Sequence, residues 1–335
     1  MLDVTVETES WELVEAFEIA RGTLTALPVI VVTLRDADGH EGRAEAAGVD
    51  YDGETPASMM AEIERVQSAL TAATRDGQVT SHVLRALQTL LPPGGARNAL
   101  DCALWDLRAK QTGVPAWRTA ALASLTPLTT VFTLGLGSEA DTRRKAREAR
   151  HFPLLKLKCD RDRHVDVVRW VREEHPHARI AVDANQSWTR ELLERILPQL
   201  ASLGVEMVEQ PVPRGEDAAL DGLRAPVPLA ADESCTDRAS VARLVEWYQY
   251  INIKLDKCGG LTEALAMGDQ AIALGMQLMV GNMCGTSLGM APAFLVGQRC
   301  GYVDLDGPLL QKHDREHAMS CVNGVMQPPT RALWG

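Results

Sequence analysis

No stretch of this 335-residue sequence stays apolar for the roughly 18 residues that a membrane-crossing helix requires, so no span is expected. No basic-then-apolar leader opens it either: MLDVTVETESWELVEAF is acidic, and no secretion signal is read there. CxxC pairs are missing as well. The seven cysteines (Cys102, Cys159, Cys235, Cys258, Cys284, Cys300, Cys321) form an odd, dispersed set, the pattern of reduced thiols in a cytoplasm rather than of a disulfide framework. Positive charge is scarce. A net charge of −11 argues against a general nucleic-acid surface, because phosphate binding needs clustered cations. The one basic run, RRKAREAR at 143–150, has the spacing of a helix's solvated face. No low-complexity segment or flexible linker interrupts the chain.

What is present is ordinary in bulk and specific in pattern. Hydrophobic residues make up 46% and charged residues 24%, as in a soluble globular protein, and the length suits two domains or a barrel with an attachment. Near the start, a strand at residues 2–7 and the β-rich run PVIVVTL (28–34) lead through the turn pair Asp38-Gly39 into GRAEAAG. Helical patterns follow at about 57–73, 80–90 and 96–111. The last places Ala99, Cys102, Ala103, Trp105 and Leu107 among polar residues and stops at Gly113-Val114-Pro115. Strands followed by helices predict a separate α+β module.

From about residue 128 short apolar strands alternate with helical segments: TTVFTLG, PLLKLK, RIAVDAN, VEMVEQP, VPLAADE, YINIKLD, QLMVGNM and YVDLDG. Marker positions at the strand ends are Lys158, Asp183, Glu209, Asp232, Lys254, Gly281 and Asp304, at intervals of 25, 26, 23, 22, 27 and 23 residues. One strand, one helix and two loops need about that length, which predicts eight strands in a β/α barrel with its chemistry at their carboxyl ends. No GxGxxG or P-loop stands at any strand–helix turn, which lowers the doubly wound alternative.

Side chains two apart on a strand share a face. Leu155 and Leu157, Ile180 and Val182, and Ile251 and Ile253 therefore face the outer helices. Lys156, Lys158, Asp183, Glu209, Asp232 and Lys254 collect inside. Buried charges are costly unless paired or metal-bound. Three carboxylates from consecutive strands, Asp183, Glu209 and Asp232, form an all-oxygen set suited to octahedral Mg²⁺, whereas any one of them alone would read better as a salt-bridge partner or helix cap. Lys158 and Lys254 flank that set as two opposed bases, suited to removing a proton from one face of a carbon acid and returning it on the other. The metal would stabilise the enolate-like charge. Lys156, beside Lys158, is expected to help depress the latter's pKa.

The motifs KLK (156–158), DAN (183–185), EQP (209–211), DES (232–234) and KLDKCGG (254–260) resemble those of the enolase superfamily, in its muconate-lactonizing-enzyme-like branch. The resemblance covers essentially the whole chain. It implies an α/β fold, a modified (β/α)7β TIM-like barrel over residues 116–311. An α+β capping domain over 1–115 would be completed by the tail at about 312–335. DLDG (304–307) is similar to the DxD motif of dipeptide epimerases, in which Asp304 and Asp306 would receive the substrate's α-ammonium through charge-assisted hydrogen bonds. FEIARGT (17–23) resembles the specificity segment of the L-Ala-D/L-Glu epimerase type, which would set Arg21 against an acidic second side chain. The loops around Tyr51, Thr133 and GNMCGTS (281–287) are expected to line the pocket, Thr133 and Lys156 among the substrate contacts. The resemblance thus implies a Mg²⁺-dependent isomerase acting on a small dipeptide, in cell-wall peptide metabolism, with homo-oligomeric association as the default for a barrel.

The alternatives are an o-succinylbenzoate synthase or N-acylamino-acid racemase, whose ligands carry no free ammonium. Muconate cycloisomerase is disfavoured on the same ground. Acid-sugar dehydratases commonly use a histidine after strand seven, where this chain reads GNMCG, and none of its eight histidines lies at a predicted strand end. A silent ligand-binding barrel is the remote reading.

Overall fold

The computed structural model describes residues 2–19, 22–74 and 77–335. Its first unit grows from strands that alternate or run apolar: β1 (Asp3–Ile19), β2 (Gly22–Arg35) and β3 (Glu41–Ala46) form an antiparallel sheet in that order. The β1–β2 pairing runs from Asp3↔Arg35 to Ile19↔Gly22 with a register shift between Glu12 and Phe17, far longer than the two short runs expected. Apolar and charged residues mix there without strict alternation (Leu13 beside Val14, Ala16 beside Phe17), so no period of two announced it. The Asp38-Gly39 turn is made as predicted, with the Asp36 carboxylate accepting from the amides of Asp38 and His40.

Three helices pack on the sheet: α1 (Pro56–Ala73), α2 (Ser81–Leu90) and α3 (Gly95–Thr112). Thr55 and Ser58 cap α1 reciprocally, with Pro56 at its first position. Gly113 ends α3 in the left-handed conformation at φ 69°. Helix α3 is buried along nearly its whole length. It lies so close to β3 that a Cβ on Gly42 would stand 2.4 Å from the Ala103 carbonyl oxygen.

The chain then runs through α4 (Ala116–Thr119) and β4 (Leu128–Thr129) into the barrel. Its strands are β5 (Phe132–Leu134), β6 (Leu154–Lys158), β7 (Arg179–Asp183), β8 (Val205–Glu209), β9 (Leu229–Ala231), β10 (Tyr250–Lys254), β11 (Gln277–Gly281) and β12 (Tyr302–Val303). They pair in chain order, all parallel. The ring closes where the Val131 amide donates to the Val303 carbonyl at 2.8 Å. Between strands stand α5 (Glu139–Glu148), α6 (Val165–Glu174), α7 (Arg190–Ser202), α8 (Arg238–Leu244), α9 (Leu255–Cys258), α10 (Leu261–Ala273) and α11 (Ser287–Gly297). The basic run lies on α5 and is ion-paired. Arg143 reaches Glu139 and Glu173, Arg144 reaches Glu148, and Arg147 reaches Glu174.

Strands β13 (Cys321–Val322) and β14 (Val325–Met326) join β4 in a small sheet. The tail ends on α3, where Trp334 Nε1 donates to the Cys102 carbonyl at 3.1 Å. All seven cysteines are free thiols. Among the described residues no helix is long and apolar enough to cross a membrane.

The barrel interior is layered. Val131, Leu154, Ala181, Met207, Ala230, Tyr250, Met279 and Tyr302, one from each staved position, form a separate apolar cluster that plugs the ring. Strand periodicity puts the next inward layer two residues on: Thr133, Lys156, Asp183, Glu209, Asp232, Asn252, Gly281 and Asp304. Below, the ring is packed with hydrocarbon; above, it carries almost only polar groups.

Candidate active site

Ladder register levels the key groups. Lys158 pairs with Asp183 and Asp183 with Glu209, while Lys254 pairs with Gly281. Strands β6 and β10 are four steps apart in a ring of eight, so Lys158 and Lys254 stand on opposite sides of the mouth. Asp183, Glu209 and Asp232 lie between them on β7, on β8 and just past β9.

All three acids are fully buried, at no more than 1% exposure. Lys158 Nζ lies 2.6 Å from Asp183 Oδ2 and 3.0 Å from Asn185 Oδ1. Lys254 Nζ lies 2.8 Å from Asp232 Oδ2. Lys156 Nζ is surrounded by Glu209 Oε2 and Asp304 Oδ2, each at 2.8 Å, and Asp183 Oδ2 at 3.1 Å. Lys257 Nζ donates to Asp232 Oδ1 at 2.6 Å.

These contacts set the protonation of the site. Burial opposes ionisation of Asp183, but Lys158 and Lys156 outweigh it and hold its pKa below the usual carboxylate range. Asp232 is likewise lowered against burial, by Lys254 and Lys257. Glu209 goes the other way, pushed up to about 8 by burial and by the neighbouring Asp183 carboxylate. For Lys254, burial works against the charge, yet Asp232 prevails and the pKa is raised. Lys156 is raised too, because Asp304, Glu209 and Asp183 overcome its desolvation. Lys156 therefore stands as an ammonium among three carboxylates, those of Asp304, Glu209 and Asp183.

The donor set fits a divalent cation. Six carboxylates (Asp183, Glu209, Asp232, Glu233, Asp304, Asp306) face four lysines (Lys156, Lys158, Lys254, Lys257), a formal excess of two negative charges in a buried space. Glu209 Oε2 is buried and makes no hydrogen bond of good geometry, its approach to Lys156 being ionic only. Among the described residues, the only group of three or more acids, histidines or cysteines whose ligand atoms already lie within 4.8 Å of one another is Asp36, Asp38 and His40. Asp36 there is committed to the turn and to Gln111, which makes that cluster a folding device.

Asp304 and Asp306, at 5% and 2% exposure, stand at the end of β12. The Thr133 amide donates to Asp306 Oδ2 at 2.7 Å, and Asn282 Nδ2 donates to the Asp304 carbonyl at 2.7 Å. Burial and the Asp304 charge push Asp306 up to about 7. Thr133 thus meets Asp306 through its backbone. Arg21 lies outside the described residues. A cavity of about 260 Å³ opens between the units, lined by Leu24, Leu27 and Tyr51 from the cap and by Lys158, Asn185, Asp232, Glu233, Lys254 and residues 282–284 from the barrel.

Several supporting residues stood inside the motifs without a role assigned from sequence. Gln210 Oε1 accepts from the amides of Asp232 and Ser234, joining two strand ends. Asp256 accepts from the Gly48 amide and Glu45 from that of Thr286, fixing cap loops to barrel loops. Strand periodicity would have found Asn252, two residues before Lys254. Nothing in the sequence announces the contacts between units.

This is a barrel with lysines and carboxylates gathered at the carboxyl ends of its strands, under a cap that completes the cleft. Residues 1–119 match the mandelate racemase / muconate lactonizing enzyme N-terminal domain, and residues 139–332 the enolase C-terminal domain-like family. The chain belongs to the enolase superfamily, in its mandelate racemase / muconate lactonizing enzyme branch.

Among curated relatives, an N-acetyl-D-glutamate racemase of Pseudoalteromonas is 41% identical over 254 residues, 75% of this chain and 80% of that one. An L-Ala-D/L-Glu epimerase of Escherichia coli is 39% identical, with 97% of this chain and 99% of that one covered. A solved enolase family member from Agrobacterium tumefaciens, with bound sodium and L-Ala-L-Glu, superposes at TM-score 0.93 with 38% identity and full coverage of both chains. A dipeptide epimerase from Methylococcus capsulatus, complexed with Mg and L-Arg-D-Lys, superposes at 0.90 with 30% identity, covering 99% of this chain and 98% of that one.

Proposed function

We propose that this chain is a Mg²⁺-dependent dipeptide epimerase of the L-Ala-D/L-Glu type, inverting the α-carbon of the second residue by two-base proton transfer. The observation that carries the reading is the placement of Lys158 and Lys254 across the ring from one another, with three buried carboxylates between them.

Asp183, Glu209 and Asp232 would hold the cation, which when bound supplies positive charge beside the substrate carboxylate and so favours the enolate-like form. With Asp183 and Asp232 committed to the cation, Lys158 and Lys254, which line the cleft, would be released from the carboxylates that hold their ammonium groups. One lysine, neutral, takes the α-proton from its face. The other, protonated, delivers a proton to the opposite face, and the reverse reaction exchanges their roles. Asp304 and Asp306 receive the substrate's α-ammonium, and Thr133 keeps Asp306 turned toward it. Leu24, Leu27 and Tyr51 wall off water from above. Arg21 would meet an acidic second side chain.

A second reading, racemisation of an N-acylated amino acid such as N-acetylglutamate, is favoured by the Pseudoalteromonas relative. Such a ligand has no ammonium to pair with Asp306, Asp304 already meeting Lys156 at 2.8 Å. Incubation with a mixed dipeptide library and N-acyl amino acids in D₂O with Mg²⁺, read by mass spectrometry, tests both. One deuteron in L-Ala-L-Glu or a related dipeptide is expected. Uptake into N-acetylglutamate alone would replace the reading.

A further inference from the structure

Asn252 stands in the polar inward layer but takes no part in the chemistry above. It is fully buried, and its Nδ2 donates to Glu209 Oε1 at 2.9 Å. Its Oδ1 is buried with no hydrogen-bond partner. A leucine of similar volume would fill the same space without stranding a carbonyl oxygen, so the amide is a poor choice for packing alone. Space is nonetheless kept for it: a Cβ on Gly281 of the neighbouring strand would stand 2.6 Å from Asn252 Oδ1 and 2.8 Å from Nδ2.

We propose that Asn252 is the positioning residue of Glu209, fixing the rotation of its carboxylate so that Oε2 faces the centre of the triad; this rests on Glu209 being a metal ligand. The amide commits Oε1, and Oε2 then lies 2.8 Å from Lys156 Nζ at the middle of the site. A neutral donor suits the task. An aspartate could not donate to a carboxylate, and a lysine would neutralise Glu209 and compete with the cation. The Asn252 carbonyl also accepts from Lys257 Nζ at 3.1 Å, and Lys257 holds Asp232 Oδ1. One residue of β10 thereby ties two of the three carboxylates to the strand that carries Lys254.

The test is calorimetric titration of Mg²⁺ into the wild type and the Asn252→Leu, Gly281→Ala and Glu209→Gln variants, with thermal melts of each metal-free protein. Loss of an outer partner of a metal ligand weakens affinity by about 10–100-fold. Asn252→Leu is expected to show that loss while the metal-free protein still melts cooperatively. Gly281→Ala, at a residue without a left-handed φ, should do the same by displacing the amide. It carries the test if the leucine variant fails to fold. Adding Asn252→Leu to Glu209→Gln should weaken binding no further. Wild-type affinity in both Asn252→Leu and Gly281→Ala, alongside a weakened Glu209→Gln, overturns the positioning role alone. Wild-type affinity in Glu209→Gln removes Glu209 from the ligand set and this inference with it.

Discussion

Replacing Asp306 by asparagine separates the ammonium-binding reading from its rival. Asp306 Oδ2 accepts the Thr133 amide at 2.7 Å, and an asparagine carbonyl can keep that bond, so the local fold should hold. What is removed is one negative charge of the pair with Asp304. A hydrogen bond to a charged group contributes about 1.5–3 kcal/mol, which corresponds to a factor of about 10–150 in affinity. The ammonium lies away from the reacting carbon and is held equally in ground and transition states, so the loss should fall on KM with kcat nearly unchanged. In a deuterium-exchange assay, kcat/KM for L-Ala-L-Glu should drop by that factor while exchange of N-acetylglutamate is unaffected. The pH dependence has a definite sign. With its pKa pushed up to about 7 by burial and by Asp304, Asp306 is protonated below that pH and ionised above it. Wild-type kcat/KM for the dipeptide should therefore fall as pH drops below about 7, and Asp306→Asn should abolish that limb. An equal loss for both substrates, or a loss confined to kcat, would refute the assignment.

Lys158→Ala and Lys254→Ala should each abolish epimerisation while leaving Mg²⁺ titrations close to wild type; either variant turning over at near wild-type rate would end the two-base scheme. Chelation of divalent ions should stop exchange, and Mg²⁺ at 100 times its Kd should add about 2.7 kcal/mol of stability, seen as a rise in melting temperature. Glu45 and Arg315, at 1% and 9% side-chain exposure and 2.5 Å apart, join the cap to the tail, and Glu45 also accepts from the Thr286 amide. Arg315→Met strands that carboxylate and should cost about 3–5 kcal/mol in urea unfolding, with Glu45→Gln recovering part of it.

The barrel was legible because each strand repeats one physical pattern: an apolar outward face and a polar residue at the carboxyl end. Lys158, Asp183, Glu209 and Lys254 stand at the ends of their strands as that pattern required. The helices at 57–73, 80–90 and 96–111 match α1, α2 and α3 to within a residue. The long β1–β2 hairpin was missed because apolar and charged residues mix along it, with Leu13 beside Val14 and Ala16 beside Phe17, leaving no period of two to read. The surroundings of Lys156 were not legible for a different reason. Sequence shows its neighbour two residues away but not Asp304, 148 residues on, whose carboxylate lies 2.8 Å from it. Contacts of that separation are made by closure of the ring, which no local pattern encodes.

Placing the chemistry on strands rather than loops has a mechanistic consequence. Two bases can address opposite faces of one carbon only if their separation holds while substrate enters and leaves. Lys158 is locked in register with Asp183, and Asp183 with Glu209, by the parallel ladder, and the apolar ring of eight residues below resists any shear of one strand past the next. The cap loops meet the barrel through other groups: Asp256 accepts from the Gly48 amide, Glu45 from that of Thr286, and Arg214 pairs with Asp52. The lysines and carboxylates thus stand on or just beyond barrel strands, whereas Leu24, Leu27 and Tyr51 of the cleft come from the cap. A substitution among those cap residues should then change the side chain accepted while leaving the lysines and carboxylates in place.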